Sequence, residues 1–548
     1  CNETLQTPIK LIKISNAQTQ IEEILNHLVA NNMAAVHEDA PLKFLQLVQL
    51  LRAASYENID AIWAQFKAEP AFRHWILDAV PAIGTPDALQ FIKEKFLAGD
   101  ITTAEGAQAL LAAIHLVKAD QPTIKLQASL VFHPKIQTNP HLLELAMLGY
   151  GSMVYKFCVH IPACPADVMK PILDIGEEAI AKRQCDEITL ALKVLGNAGH
   201  PASLKAIMKL LPGYSTAGGA LPTSVHADAV MALRNVAKFE RRRVQDVALK
   251  LFMDRANHPE VRMLASVVLF ETRPTMGRVT AIANALQKED NLQVASFTYL
   301  HMKALTRSTA PEFAPVAAAC NVAVKLLSSK LDRLSYRYRQ AIHLDAYSTN
   351  LMAGAAASAF PSNDAATILP RAVVAKLRAY FAGAAANVLE FGARAEGIQE
   401  ALLKTCAGTG GANKINRMRR VLKALADWKA APGKEPLASM YFKLFGQEIA
   451  FLNMDKAMID QAMQYATAPC SRCNVEAVLN ALQSGAAIQW AKPLLAAEVR
   501  RIFPTAAGVP MELSLYTAAV AAAAANIKAT LTPAPAEAFH LAQLLNTD

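Results

Sequence analysis

The first part of the chain has hydrophobic residues at the three- and four-residue spacing of amphipathic helices. Ile21, Leu25 and Leu28 form one such stripe, and similar stripes recur in segments of about 12 to 20 residues that are separated by Pro, Gly or Asn. The pattern predicts about 17 helices over residues 12–329.

The predicted helices also repeat in sequence. Residues 191–201 are echoed by residues 232–237, and Leu195 and Leu233 are 38 positions apart, which is close to the period of helical-pair arrays. Because each helix pair covers only its neighbours, such an array bends into a two-layer superhelical arch with a concave face. We therefore predict an α-solenoid for this part of the chain.

After about residue 333 the hydrophobic period changes from helical toward two. Leu344 and Leu377 lie in segments where apolar and polar residues alternate, as expected for half-buried strands. Residues 440–451 continue the alternation, and its parity switches at Gly446, where a bulge or a tight turn would restore the face. A further strand region begins at Leu513. The predicted fold class is therefore α+β and multidomain, with a helical arch followed by antiparallel sheets.

Small side chains dominate two of the strand segments. Residues 352–360 and 382–386 consist mostly of alanine, glycine and serine. One hypothesis is that two such sheets line a wide cavity that holds an apolar ligand other than protein. The alternative is that the sheets pack on the arch without a ligand, and the pattern supports both equally.

Composition limits these possibilities. With 53% hydrophobic and 18% charged residues, the chain is too apolar for intrinsic disorder and can bury a large core. No run reaches the ~18 to 20 apolar residues of a membrane span, and the nearest, residues 515–527, is interrupted by Tyr516 and Thr517. The net charge of +9 over 548 residues is compatible with anionic partners but does not require them.

The sequence contains no recognisable catalytic motif. It lacks Gly-x-Ser-x-Gly, His-Glu-x-x-His and a Walker loop, so we expect no active site and no enzyme. Residues 408–411 are glycine-rich but lack the lysine of a phosphate loop, and we interpret them as a linker. The basic clusters at 241–243 and 414–420 lack interleaved aromatic residues, which favours solvated helix faces over nucleic-acid binding.

Two histidines are candidate metal ligands. His27 and His37 lie near the end of the first predicted helix and in the loop after it, and Glu38 and Asp39 follow His37. Two imidazoles and a carboxylate are a ligand set that zinc accepts. The alternative is that both are ordinary surface histidines.

Cysteine spacing indicates the redox environment. Cys158 and Cys164 flank a short segment with a proline that suits a local loop closure, and this favours an oxidising compartment. Cys470 and Cys473 have redox or zinc spacing, but without a second pair a disulfide is the better interpretation. Since the chain begins at Cys1 with neither an initiator Met nor a signal-type segment, we expect that a leader was removed or that the sequence starts inside a longer polypeptide.

Three ordered segments resemble one known family. Residues 150–158, 195–201 and 232–237, the last continuing to 270–272, resemble the helical domain of vitellogenin, whose yolk form is lipovitellin. Vitellogenin belongs to the large lipid transfer protein family, and the resemblance covers essentially the whole chain.

The resemblance implies a division into domains and a disulfide. The expected domains are the end of an upstream N-sheet domain at 1–11, the α-helical superhelix at 12–329, the C-sheet at 330–473, a linker at 474–492 and the beginning of the A-sheet at 493–548. Cys158 and Cys164 match the disulfide of the family's helical domain.

The function that the resemblance implies is lipid carriage. Members are secreted yolk precursors, taken up into oocyte yolk as a nutrient reserve, that bind, transport and store phospholipid and other lipids in a cavity between the C- and A-sheets. They are usually homodimers and carry zinc, which adds weight to a zinc site at His27 and His37. The N-sheet that binds the vitellogenin receptor, the rest of the A-sheet and the phosvitin segment would lie outside this chain.

Strand alternation and the resemblance together give a set of expected lipid-facing residues. They are Leu344, Leu377, Phe381, Phe442, Leu444, Leu513 and Leu515. Residues of the other parity, such as Lys376 and Arg378, should meet solvent or the arch. The rival hypothesis is a HEAT-like α-solenoid scaffold that binds protein or nucleic acid through the concave face of the arch.

Overall fold

The structure is a computed structural model, and it describes residues 14, 16–32, 37–159, 161–327, 331, 341–363, 370–381, 384–395, 438–454, 486–504 and 507–527. For residues 486–504 and 510–527 it describes the backbone only. The chain divides into two compact units. We call Met147–Tyr465 the sheet unit, and Thr4–Ala146 with Ala466–Asp548 the hairpin unit.

The helices of the described residues lie between Ala17 and Lys325. They are α1 (Ala17–Asn31), α2 (Ala40–Ala53), α3 (Tyr56–Phe66), α4 (Pro70–Ala82), α5 (Pro86–Ala98), α6 (Thr103–Leu116), α7 (Gln121–Val131), α8 (Pro134–Gln137), α9 (Pro140–Cys158), α10 (Lys170–Lys182), α11 (Cys185–Ala198), α12 (Pro201–Lys209), α13 (Thr216–Gly219), α14 (Thr223–Val236), α15 (Arg241–Met253), α16 (Pro259–Glu271), α17 (Met276–Leu286), α18 (Leu292–Leu305) and α19 (Ala314–Lys325). Two short 3₁₀ turns, Ala166–Met169 and Pro311–Phe313, precede α10 and α19. Of these 19 α-helices, α8 and α13 have four residues, which leaves 17 longer ones and confirms the predicted number.

Three helices begin at a His-Pro dipeptide in which the histidine caps the helix. His133, His200 and His258 precede α8, α12 and α16, and each Nδ1 accepts a hydrogen bond from the backbone N–H two residues later, at 3.2, 3.0 and 3.3 Å. The proline that follows lacks an N–H, and at the first helical position this group would have had no partner within the helix. Each of these caps therefore requires an imidazole without a proton on Nδ1.

Two glycines allow helices of the sheet unit to pack closely. A Cβ on Gly151 would lie 2.6 Å from the backbone oxygen of Val194, and a Cβ on Gly196 would lie 3.1 Å from Cα of Ala232. Helices α9, α11 and α14 therefore approach one another backbone to backbone. This close contact fixes the position of Asn197, the residue after Gly196 on α11.

The sheet unit contains one antiparallel sheet in its described residues, with neighbouring strands in chain order. Its strands are β1 (Ile342–Ser348), β2 (Ala353–Ser362), β3 (Ala372–Phe381), β4 (Ala384–Ala395), β5 (Ala438–Leu444) and β6 (Gln447–Met454). Phe445 and Gly446 join β5 to β6 with φ of 49° and 78°, the left-handed values of a two-residue hairpin turn. The tight turn predicted at Gly446 is therefore present.

The register of the sheet places apolar residues in rows across the strands. One row runs from Leu344 through Ala357, Leu377 and Leu389 to Leu444. The register shifts once in β4 and once in β6, where one extra residue is left unpaired. After each shift, the side chains that faced one side of the sheet from odd positions face it from even positions, or the reverse. The face of each residue in these strands is therefore read from its pairing and not from its position number.

The hairpin unit contains two long strands, β7 (Ala486–Pro504) and β8 (Pro510–Ile527), paired antiparallel. In this unit β7 neighbours α4 and β8 neighbours α2. β7 begins inside the residues 474–492 that we predicted as a linker. The predicted segments at 408–411, 414–420 and 470–473 lie outside the described residues, and so does the predicted strand start at 382 and 383. None of the helices described is long and apolar enough to cross a membrane.

Candidate functional site

The two faces of the six-stranded sheet differ in their chemistry. One face packs against helices of the sheet unit, and we call it the inward face; the other is the outward face. Because side chains alternate along a strand, the register assigns each paired residue to one of them. Among the paired residues of β1–β6, none of those on the outward face is charged.

Large apolar side chains on the outward face are exposed. Leu344 is 68% exposed and Leu377 is 48% exposed. The other exposed members are Ile342, Phe391, Met440 and Leu452. Alanines such as Ala357 lie between them in the register. A contiguous apolar face of this kind marks a surface that binds another molecule.

The structure brings four of the seven predicted lipid-facing residues onto this face. Leu344 and Leu377 are exposed, and Phe442 and Leu444 are half-buried in the same register rows. Phe381 ends β3 opposite Ala353, but its side chain lies outside the described part.

The other two predicted residues belong to the hairpin unit. Leu513 and Leu515 pair in the backbone with Arg501 and Val499, and their side chains also lie outside the described part. The lipid-facing role of all seven residues remains a prediction.

Four exposed members of the outward face were not among the predicted lipid-facing residues. They are Phe391 on β4, Met440 on β5, Leu452 on β6 and Ile342 on β1. Glu390 and Arg394 share one parity along β4, and Phe391 has the other. This alternation of charged and apolar residues could have indicated that Phe391 faces outward. The register shift in β4 hides this signal, because apolar residues on either side of it differ in parity.

Ion pairs join the inward face of the sheet to the helices. In the described residues they connect Lys193 with Glu448, Arg234 with Glu390, Glu260 with Arg394, Glu271 with Lys376, and Glu312 with Arg378. Lys376 and Arg378 thus contact the helical part, as one of the two alternatives for this parity predicted. These ion pairs neutralise charged residues of the inward face. The face that packs on the helices is therefore the charged one, and the apolar face lies on the opposite side of the sheet.

The pair of Arg234 and Glu390 shows how these charges are held. Both guanidinium Nη atoms donate to the carboxylate, each at 2.6 Å, and the Tyr441 hydroxyl donates to it at 2.8 Å. Burial alone would raise the pKa of Glu390, but attraction to Arg234 outweighs it and holds the pKa well below its usual value. Glu390 is therefore a buried carboxylate that stays charged.

Polar side chains of three helices hold the β5–β6 turn. Asn197 donates to the Glu448 carbonyl at 2.8 Å and accepts from the Glu448 N–H at 2.7 Å. Asn235 donates to the carbonyl of the turn glycine at 3.0 Å, and the Ser152 hydroxyl lies 3.0 Å from Oε1 of Gln447. Asn197 and Asn235 are 38 residues apart, so successive helical repeats use the same position to bind one turn.

The predicted disulfide between Cys158 and Cys164 is present, and it closes the loop after α9. His200 lies beside it, with Nε2 3.2 Å from the Cys164 carbonyl oxygen. These three residues are the one group of three or more potential metal ligands that lies close together in the described part. Both sulfur atoms are taken up by the disulfide, so this group does not fit a metal.

Asp39 lies within hydrogen-bond distance of both predicted metal ligands, but the ligand atoms of His27, His37 and Asp39 do not all lie within 4.8 Å of one another. His27 Nε2 lies 2.8 Å from one Asp39 oxygen, and His37 Nδ1 lies 2.6 Å from the other. The hydrogen bond to His37 lowers the pKa of Asp39, with burial opposing it and the bond to His27 adding to it. Two imidazoles and a carboxylate fit zinc chemically, and all three side chains are partly exposed.

These features define a class of protein in which a helical array binds one face of an open antiparallel sheet and leaves the other face apolar. The sequence matches the family described as vitellogenin TPR domain over residues 15–303 and the one described as vitellinogen, open beta-sheet over residues 337–548. The chain therefore belongs to the vitellogenin family, and both the resemblance and the predicted α+β fold class are confirmed.

Relatives agree with this assignment. The chain is 64% identical to a vitellogenin of Oncorhynchus mykiss over 546 residues, and 54% identical to vitellogenin-2 of Fundulus heteroclitus, in both cases over 100% of the chain. It covers 33% and 32% of those two proteins, so it spans about a third of their length. A solved structure described as "lipid-protein interactions in lipovitellin" has a TM-score of 0.84 and 38% sequence identity to this chain. The match covers 96% of this chain and 52% of the chain in that structure. The comparisons do not favour the HEAT-like scaffold.

Proposed function

We propose that this chain is part of a yolk lipoprotein and that the outward face of its six-stranded sheet binds lipid acyl chains. The observation that carries the proposal is the outward face itself, with exposed leucine, isoleucine, methionine and phenylalanine side chains and no charge in its paired residues. Acyl chains offer apolar contact without hydrogen bonding, which is what this face can accept. The names of the relatives, vitellogenin and lipovitellin, support the same function.

The free energy of such binding follows from the area that lipid would cover. Full burial of a Leu or Phe side chain contributes about 1.5 to 3 kcal/mol, and roughly 25 cal/mol per Å² of apolar surface. Because Leu344 is 68% exposed and Leu377 is 48% exposed, they would contribute about two thirds and about one half of that range. Six such residues together would hold lipid firmly without a specific site for any headgroup.

The test is extraction of lipid from the purified chain, followed by lipid analysis of wild type and variants. Leu344→Glu places a charge on the outward face and should lower the molar ratio of lipid to protein. The matched control is Met276→Glu on α17, where the side chain is 51% exposed but lies on a helix. A chain that remains folded and soluble without lipid, or equal lipid ratios in both variants, would contradict the proposal.

The wider role follows from the family and extends the proposal. The whole protein would be secreted, taken up into oocyte yolk and stored as a nutrient reserve, with phospholipid and other lipids as cargo. It would form a homodimer, and the N-sheet, the rest of the A-sheet and the phosvitin segment would come from other parts of the polypeptide. The vitellogenin receptor would bind a segment outside this chain. Sedimentation of the lipid-loaded chain tests dimerisation, and a single monomeric species would exclude it for this part.

Zinc binding at His27, His37 and Asp39 is a further part of the proposal. The support is the shared carboxylate, which holds both imidazoles within hydrogen-bond distance of one group. Elemental analysis of wild type against His27→Ala should show a loss of zinc, and His141→Ala, which changes an exposed histidine of α9, should show none. Equal zinc content in all three proteins would remove the site.

A further inference from the structure

Two histidines lie where α18 meets the inward face of the sheet. His301 of α18 is 3% exposed, and the side chain of His343 on β1 is 8% exposed. Neither contacts the outward face, and neither belongs to the proposed zinc site. Histidine is the side chain whose charge ordinarily changes between pH 5 and 8, so two buried histidines at one contact suggest a pH response.

His301 is enclosed by aromatic rings. Its ring centroid lies 4.9 Å from that of Phe360 on β2 and 5.1 Å from that of Phe270 on α16, both edge-on, and Phe297 of α18 is also near. Its Nδ1 has no hydrogen-bond partner among the residues that the structure describes. Burial lowers the pKa of His301 well below its usual value, and the charge of Lys376 lowers it further. The imidazole is therefore neutral in this contact.

His343 is also held neutral. Its Nδ1 lies 2.7 Å from the Ser358 hydroxyl, but its Nε2 is 3.7 Å from Asp345, which is too far for a hydrogen bond. The Asp345 carboxylate instead accepts from the Ser308 hydroxyl and from the Thr309 N–H after α18. Burial lowers the pKa of His343, and this outweighs the opposing attraction of Asp345.

The carboxylates around these histidines already have other hydrogen-bond or ion-pair partners, and the one at ion-pair distance from a histidine is Asp345, 3.7 Å from His343 Nε2. From β3, the cations Lys376 and Arg378 approach, and Lys376 Nζ lies 5.2 Å from the same Phe360 ring that His301 contacts. The carboxylates from the other elements are Glu271 of α16, which pairs with Lys376 and Arg234, Glu312 of the 3₁₀ turn, which pairs with Arg378, and Asp345 of β1. Tyr380 of β3 adds a neutral hydroxyl, since burial raises its pKa to about 12. Protonated histidines would therefore meet two cations in a buried site.

We propose that the contact between α18 and strands β1–β3 is an acid-sensitive joint that loosens when His301 and His343 become protonated. The inference concerns how the helices hold the sheet, and it does not depend on lipid binding. Since both histidines have a lower pKa in the contact than in the open chain, the contact is fully stable above about pH 6.5 and weakens as the pH falls. Each histidine can increase the opening equilibrium by up to about tenfold per pH unit.

The experiment is hydrogen exchange of the full chain at pH 7.5, 6.5 and 5.5, corrected for the intrinsic pH dependence of exchange. The opening equilibrium measured for peptides from α18 and from β1 should be at least about tenfold larger at pH 5.5 than at pH 6.5, since opening takes up two protons. Peptides from α11, which binds the sheet through Lys193 and Asn197, serve as the internal reference and should not change. A flat profile for α18 and β1 would overturn the proposal without any variant.

Variants assign the response to the two histidines. The double variant His301→Phe and His343→Gln keeps the aromatic packing and the hydrogen bond to Ser358, and it should show no rise at pH 5.5. His141→Gln, an exposed histidine of α9, should behave as wild type. If the double variant does not fold at pH 7.5, the single variant His343→Gln is compared instead and should lose about half of the logarithmic response. A full rise in the folded variant overturns the proposal.

The His-Pro cap at His200 provides a second source of acid sensitivity that the readout must separate. Protonation of His200 would remove the Nδ1 acceptor at the start of α12. That loosening would begin at the first turn of α12. Opening confined to this turn, with α18 and β1 unchanged, counts against the joint.

Discussion

Replacing Glu390 with Gln tests whether buried ion pairs hold the sheet to the helices. The side chains of Arg234 and Glu390 are 12% and 5% exposed, and they are joined by two hydrogen bonds of 2.6 Å. Gln keeps the shape but carries no charge, so the guanidinium is left buried with Glu271 3.8 Å away. Removing one partner of a buried pair costs about 3 to 5 kcal/mol, and the presence of Glu271 favours the lower end.

The assay should report on the sheet unit alone, because a chain with two compact units need not unfold in one step. Native-state hydrogen exchange of β4 and α14 meets this need. A loss of about 3 kcal/mol corresponds to roughly 100-fold faster exchange in both elements. The control is Glu178→Gln, which breaks an exposed pair with Lys182 on α10 and should leave the exchange of α10 nearly unchanged, because solvent screens an exposed ion pair.

Two results would refute this reasoning. One is an effect of Glu390→Gln on β4 that is no larger than the effect of Glu178→Gln on α10. The other concerns the double variant Arg234→Met and Glu390→Leu, in which neither buried group is charged. We expect it to recover most of the lost stability, since an apolar pair of similar size can replace a buried ion pair. A double variant as unstable as the single one would show that the charge itself is needed.

Three further predictions address the helices. Gly151→Ala puts a methyl group 2.6 Å from a backbone oxygen of α11 and should destabilise the sheet unit by about 1 to 3 kcal/mol, seen as faster native-state exchange of α9 and α11, whereas Gly219→Ala, with open space around it, should not. Asn197→Ala leaves the buried N–H of Glu448 without its acceptor and should cost about 1 to 3 kcal/mol, seen as faster exchange of β6. Burial lowers the pKa of His200, so its cap is intact above about pH 6.5 and is lost as the pH falls; His200→Asn should remove this pH dependence of exchange at the start of α12.

Local patterns in the sequence were sufficient to predict the elements. The three- and four-residue spacing of apolar residues predicted the helices, and alternation around Leu344 and Leu377 predicted two strands together with their exposed face. Both signals arise because the period of the backbone sets which residues share a side. The tight turn at Gly446 was predictable for the same reason, since the parity of apolar residues changes there.

The partners of the inward charges could not be predicted, because they depend on contacts between distant parts of the chain. Lys376 and Glu271 are separated by 105 residues, and Lys193 and Glu448 by 255. Nothing local distinguishes Lys376 from a solvated lysine on a strand. One signal was present and not used: Asn197 and Asn235 lie at the same position of successive repeats, and a buried asparagine repeated with the period of an array indicates a shared hydrogen-bonding role.

The division of the sheet into two faces also determines which changes in chain length it can tolerate. Glu390 binds a helix, and the next residue, Phe391, is exposed on the outward face. Inserting or deleting a single residue in the middle of β4 would exchange these positions, placing a carboxylate on the apolar side and a phenyl ring against Arg234. Substitution among small apolar residues keeps both faces intact. We therefore expect sequence change in these strands to occur by replacement, and changes in length to be confined to the connections between them.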